Sequence, residues 1–186
     1  MPFGSLWLPV LVSAVAVFIA SSIVHMVLRY HRADYRQIPD EESVAGAVRK
    51  AALGPGLYVM PYCPDMAQMK DPAFQKKYAE GPVALLTVMR NGAPNMGKHL
   101  FQWFLLCFLV SFVAAYVARH TLGFATNGLE VMRVTGTVAF AAYGFGYFQD
   151  SIWKAIPWSN SLRGLIDAAI YSVVTGLVFR LMWPAS

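Results

Sequence analysis

The sequence predicts a mainly α fold, a four-transmembrane-helix bundle with a small α+β cytoplasmic insert between spans 1 and 2. Three observations predict it. Hydrophobic residues make up 57% of the 186 residues and charged residues only 13%, against roughly 25% charged in soluble domains. Four long stretches are apolar and nearly free of charge. The charged residues gather instead in one polar block between the first two of those stretches. The chain divides accordingly into 1–28, transmembrane helix 1; 29–98, the insert; and 99–186, transmembrane helices 2–4 with short connections.

Residues Leu6 to Leu28 carry no Asp, Glu, Lys or Arg. That length matches a hydrocarbon core of roughly 30 Å at 1.5 Å per residue. The run is too long for a signal-peptide core and lacks a basic lead-in. Arg29, His31, Arg32 and Arg36 are expected to carry the first helix out of the membrane, until Ile38-Pro39 breaks it. Asp40-Glu41-Glu42 reads as a helix start, with acids at the positive end of the dipole, and Gly54 as its stop. Leu57 to Met60 reads as a short strand. Asp71-Pro72 is a second cap with proline in the first turn, and that helix ends at Gly81-Pro82. Val83 to Met89 reads as a strand stopped by Asn91-Gly92. Two short strands form a marginal sheet on their own, so the insert is expected to lean on the bundle or a partner.

The second span is Leu100 to Ala118, the third Val131 to Phe148 and the fourth Gly164 to Met182. The third is the least apolar, diluted by Gly136, Gly144 and Gly146. Orientation follows from Lys and Arg placement. The insert holds Arg29, Arg32, Arg36, Arg49, Lys50, Lys70, Lys76, Lys77, Arg90 and Lys98, and the last connection adds Lys154 and Arg163. The other side has only Arg119, Arg133 and Arg180, each at a helix end. The insert is therefore expected in the cytoplasm and both termini in the periplasm. Trp7, Trp103, Trp153, Trp158 and Trp183 fall near the expected interfaces, as an aromatic belt does. The net charge of +5 does not cluster on one helix or tail, so it signals topology rather than nucleic acid.

Small residues recur at helical spacing: Cys107, Ser111, Ala115 and Ala118; Thr135, Ala139, Ala142 and Gly146; Ala168, Ser172 and Gly176. Such stripes let helices approach closely in lipid. Cys63 and Cys107 are the only cysteines and are expected unpaired.

Candidate chemistry falls on a few residues. Met60, Cys63, Met66 and Met69 offer soft sulfur ligands at close spacing, as a Cu(I) site would need; the competing reading is adaptable methionine packing. His25, His31 and His99 fall near the cytoplasmic surface. His25 and His99 at similar depth could hold a haem, a chlorophyll-type pigment or a metal, although single histidines near helix ends more often bond a carbonyl. Asp167 is an intramembrane carboxylate and so a candidate for a proton or ion relay. Arg163, four residues earlier, offers it a structural ion pair on the same helix face. No nucleophile elbow, phosphate loop, paired zinc ligands or dinucleotide fingerprint is present.

The stretch from His31 to Lys98, including HRADYRQIP, GLYVMPYCPDM and FQKKYAEGPVALLTVMRNGAPNMGK, and the stretch SIWKAIPWSNSLRGLIDAAIYSVVTGLVFRLMWP resemble a family of small bacterial four-span inner-membrane proteins of unknown function. The resemblance covers most of the chain. It implies the same architecture in a bacterial inner (cytoplasmic) membrane and carries over no catalytic residue. The function expected is that of an integral membrane accessory or structural subunit of a larger complex. It would have no catalysis of its own, with the lipid bilayer and other membrane subunits as partners. A copper, haem or pigment binder, and a small transporter or proton relay using Asp167, are the alternatives.

Overall fold

The computed structural model describes residues 3–123 and 126–184. It is mainly helical, with one two-stranded sheet. The elements in order are α1 (Trp7–Met26), α2 (Glu41–Lys50), β1 (Gly56–Met60), α3 (Pro72–Glu80), β2 (Ala84–Val88), α4 (Met96–Thr121), α5 (Gly128–Lys154) and α6 (Trp158–Met182). The chain divides into two compact units, Met1–Arg36 with Asn95–Ser186, and Gln37–Pro94.

The smaller unit follows the expected order. The Asp40 carboxylate accepts from the Ser43 amide at 3.2 Å and caps α2. That bond holds the Asp40 carboxyl below its ordinary range. Asp71 caps α3 through the Ala73 amide at 2.8 Å, with Pro72 opening the helix. β1 and β2 pair antiparallel, from Gly56 opposite Val88 to Met60 opposite Ala84. No residue of 37–94 is buried, since two strands and two short helices enclose too little volume for a core.

The larger unit packs α1, α4, α5 and α6. Leu6 and Val10 of the amino end meet Ala115 of α4, Val131 of α5 and Phe179 of α6 in one cluster. Ala14, Val17 and Val24 meet Cys107 and Tyr171 in a second. Small residues face inward, as lipid-exposed helices require: Ser111 donates to Ser13 at 3.0 Å, and the Trp103 indole N–H donates to Ser21 at 2.8 Å. Leu8, Val15, Ile19 and Ile23 of α1 and Leu105, Leu106 and Leu109 of α4 face outward. So much outward apolar surface suits a hydrocarbon surround, not water.

Three helices are long and apolar enough to cross a membrane: Gly4–Met26, Met96–Thr121 and Trp158–Met182. At 27 residues, α5 has the length, but its glycines, threonines and tyrosines and Arg133 lower its apolarity. It runs antiparallel along α6. A Cβ on Gly176 would meet the Met132 carbonyl oxygen at 3.0 Å, one on Gly136 the Ser172 carbonyl at 3.3 Å, and one on Gly164 would run into the Tyr147 ring. The small-residue face of α5 is thus Thr135, Ala139 and Gly144, all buried. The expected Ala142 and Gly146 lie off it, and nothing stands within 4 Å of a Cβ on Gly146.

One boundary departs from expectation. Helix α1 ends at Met26 and does not continue through the arginines. Arg29 adopts a left-handed backbone, φ 53°, and the chain folds into a 3-10 turn, Tyr30–Asp34. The turn forms because its side chains find partners on α6.

Candidate functional site

The site is built where the last turn of α1, the 3-10 turn and the first turns of α6 meet. On α1, the His25 Nδ1 lies 3.0 Å from the Ser21 carbonyl oxygen. A carbonyl only accepts, so Nδ1 carries the proton and the Nε2 lone pair is free. That lone pair stands 3.8 Å from the Asp167 Oδ2, too far for a hydrogen bond. With His25 neutral, two acceptors face each other across a gap that a cation, a proton or a donating water can bridge.

The turn supplies the next two groups. The Tyr30 hydroxyl donates to the Asp167 Oδ1. Burial first, and then this bond and the charge of Asp167, push the Tyr30 hydroxyl well above its ordinary range, so it stays a donor. His31 lies between two carboxylates, with Nδ1 2.6 Å from the Asp34 Oδ2 and Nε2 2.9 Å from the Asp167 Oδ2. The His25 and His31 rings stack at 4.6 Å and 3°, and Tyr30 lies against His31 at 4.4 Å.

Helix α6 anchors the turn. Arg163 donates to the Asp34 Oδ1 at 2.7 Å, and the Asn160 amide donates to the Asp34 carbonyl at 3.0 Å. Asn160 in turn accepts from Arg163 at 3.2 Å. Arg163, Asp34, His31 and Asp167 form one chain of contacts. With a neutral His31, one negative charge is left over beside a side chain only 2% exposed, that of Asp167. Burying that charge unpaired is costly, so the His31–Asp167 junction calls either for a proton or for a bound cation.

Two cavities adjoin the group, and His25 lines both. The outer, about 530 Å³, is lined by His25, His31, Asp34, Tyr147 and Gly164 among others. The inner, about 230 Å³, is lined by Ser21, His25, Trp103, Tyr147, Asp167 and Tyr171. His25 is half exposed.

One donor atom each from His25, His31 and Asp167 lies within 4.8 Å of the others. Two donors on one tetrahedral zinc ion, each bonded at about 2.0–2.1 Å, stand roughly 3.3 Å apart. The 2.9 and 3.8 Å separations to Asp167 bracket that value, and one of the stacked rings, now 3° from parallel, must turn for both Nε2 lone pairs to point at a single ion. Both Nδ1 atoms are also tied back, one to a carbonyl and one to a carboxylate. Outer bonds of this kind orient metal-ligating imidazoles.

Of the residues singled out in the sequence, His25 and Asp167 are brought together. The Arg163–Asp167 ion pair is corrected: Arg163 pairs with Asp34, and Asp167 takes Tyr30 and His31. The turn inserts between them and offers Asp167 better-placed donors than its own helix. His99 is exposed in the first turn of α4 and is not in the group converging on Asp167; His31 stands beside His25 instead. Cys63 and Cys107 are free thiols. Cys63 donates to the Asp65 carbonyl at 2.9 Å, and Met60 and Met66 are more than half exposed while Met69 is 38% exposed. The sequence reading missed Tyr30 and Asp34. Their signal is local: Asp34 follows His31 at the i,i+3 spacing that lets it hold the ring. Comparisons with family models, curated proteins and solved structures find no match to this chain.

Proposed function

We propose that the chain is a four-crossing membrane protein that binds one divalent transition-metal ion through His25, His31 and Asp167. The observation that carries the metal reading is the pair of outward-tied imidazoles whose Nε2 atoms converge on one buried carboxylate oxygen. Imidazole nitrogen with carboxylate oxygen suits zinc, iron, nickel or copper(II). Three protein ligands also leave a coordination position open. An accessory or structural role in a larger complex is compatible with such a site, and its support is the small size, the small-residue stripes and an insert without buried residues. Asp167 as a proton relay is the second reading, supported by the same bridging position between His31 and Tyr30.

The fourth crossing is supported by the length of α5 and by its close approach to α6 from Met132 to Tyr147. A helix lying flat against a spanning helix shares its depth. The abundance of Lys and Arg in the insert and the last connection supports a cytoplasmic insert and periplasmic termini. Single cysteines at Asn127 and Ala155, in a chain without the native cysteines, are expected to react with an impermeant maleimide from opposite faces of a sealed vesicle. Labelling from the same face would remove the crossing.

The test of the metal reading is a cobalt(II) titration of the protein in mild detergent. One ion per chain with visible absorption bands is expected, and loss of the bands in His31→Ala. Saturable binding that survives His31→Ala would reject the assignment. Affinity should rise with pH, because the bound imidazoles must give up the protons that a metal replaces.

A further inference from the structure

Taking α1 and α4 as membrane spans, and independently of the metal, we propose that Arg29, Arg32, Arg36 and Lys98 form a binding surface for anionic phospholipid headgroups. The bundle unit has four acids, Asp34, Glu130, Asp150 and Asp167. Arg163 takes Asp34, Arg133 takes Glu130 and Lys154 takes Asp150, while Asp167 faces Tyr30 and His31. Among the described residues, Arg29, Arg32, Arg36 and Lys98 pair with none of these acids, and all four are exposed. Four positive charges are thus left with no acid of their own unit to offset them.

The fold gathers these charges at one depth. Helices α1 and α4 run antiparallel, with Ser13 against Ser111 and Ser21 against Trp103, so Lys98 stands level with Met26 at the end of α1. A helix continuing past Met26 would carry Arg36 about 15 Å farther out. Instead the 3-10 turn is tied to Asn160, Arg163 and Asp167, which holds Arg29 and Arg32 beside the first turns of α6. Met26, Val27 and Leu28, immediately before Arg29, are 72, 65 and 53% exposed. Exposed apolar surface thus gives way to cations within one turn, as hydrocarbon gives way to phosphate at a bilayer surface. Lys98 also stands in the first turn of α4, the end of a helix that disfavours a cation, and no acid shares that turn. A negative group from outside the chain relieves this. Guanidinium groups match phosphate oxygens in pairs. A headgroup with net negative charge offsets the surplus, whereas a zwitterionic one brings a cation of its own.

The experiment places the full chain in phosphatidylcholine vesicles and follows chain-spin-labelled phosphatidylglycerol and phosphatidylcholine by electron spin resonance. The fraction of each lipid immobilised at the protein is read. The unmodified protein should favour phosphatidylglycerol about fivefold, the effect of one cation facing each headgroup. The combined variant Arg29→Gln, Arg32→Gln, Arg36→Gln, Lys98→Gln should bring the two lipids to parity. Arg29→Lys, Arg32→Lys, Arg36→Lys keeps the charges and should keep the preference, which separates loss of charge from loss of fold. Arg180→Gln, at the other end of the bundle, should also keep it. No preference in the unmodified protein, a preference that survives the four glutamines, or its loss in the lysine variant or in Arg180→Gln would each overturn the proposal and leave the metal reading intact. A chain that stays dissolved without detergent would overturn the spans and the lipid surface together.

Discussion

Asp167→Asn should weaken cobalt(II) binding by more than about 100-fold, since the loss of an outer partner alone typically costs about 10–100-fold. Asparagine keeps the shape and still accepts from Tyr30, so the local packing survives. It loses the negative charge, and its amide presents hydrogens rather than a lone pair toward the two Nε2 atoms. Asp34→Asn tests the outer shell separately. All three ligands remain, but His31 loses the carboxylate 2.6 Å from its Nδ1, and Arg163 loses its ion-pair partner. A drop of about 10–100-fold is expected there. Isothermal titration of both variants beside the unmodified protein checks the order. If Asp34→Asn were worse than Asp167→Asn, the turn would be acting through the fold and not through the metal.

The second large effect is on stability. Gly176→Ala places a methyl 2.8 Å from the Met132 side chain and 3.0 Å from its carbonyl oxygen. The side chain can move; the backbone of α5 cannot without parting the helices. Overpacking of this kind costs about 1–3 kcal/mol. Replacing glycine in a helix returns about 0.5–1 kcal/mol, so the clash wins. Gly146→Ala is the matched control on the partner helix, because nothing lies within 4 Å of its new methyl. A lower thermal midpoint in detergent for Gly176→Ala, with an equal or higher one for Gly146→Ala, is the expected result. The opposite order would mean that α5 and α6 do not share the face described.

The helices were legible because their determinants are local. An uncharged run such as 6–28 reports length directly, and Asp40 and Asp71 cap the helices they were expected to cap. The third span was legible as a helix but less so as a crossing, since its glycines serve packing against α6 and dilute its apolarity. The site was legible only in fragments. His31 and Asp167 are 136 residues apart, and no spacing rule reaches that far. The i,i+4 rule pointed Asp167 at Arg163, a sound local choice that a tertiary contact overrode. The left-handed Arg29 that turns the chain back has no sequence signature of its own; arginine there reads as an ordinary interfacial charge. Methionine spacing in the insert pointed to sulfur chemistry, while the nitrogen and oxygen donors that converge lie in the bundle unit.

The measurement closest to the centre of the account is an X-ray absorption spectrum of the zinc-loaded protein. Nitrogen and oxygen neighbours at about 2.0–2.1 Å with the outer-shell pattern of two imidazoles are predicted. A sulfur neighbour at about 2.3 Å would contradict it, and would move the metal from His25, His31 and Asp167 to the Met60–Met69 segment.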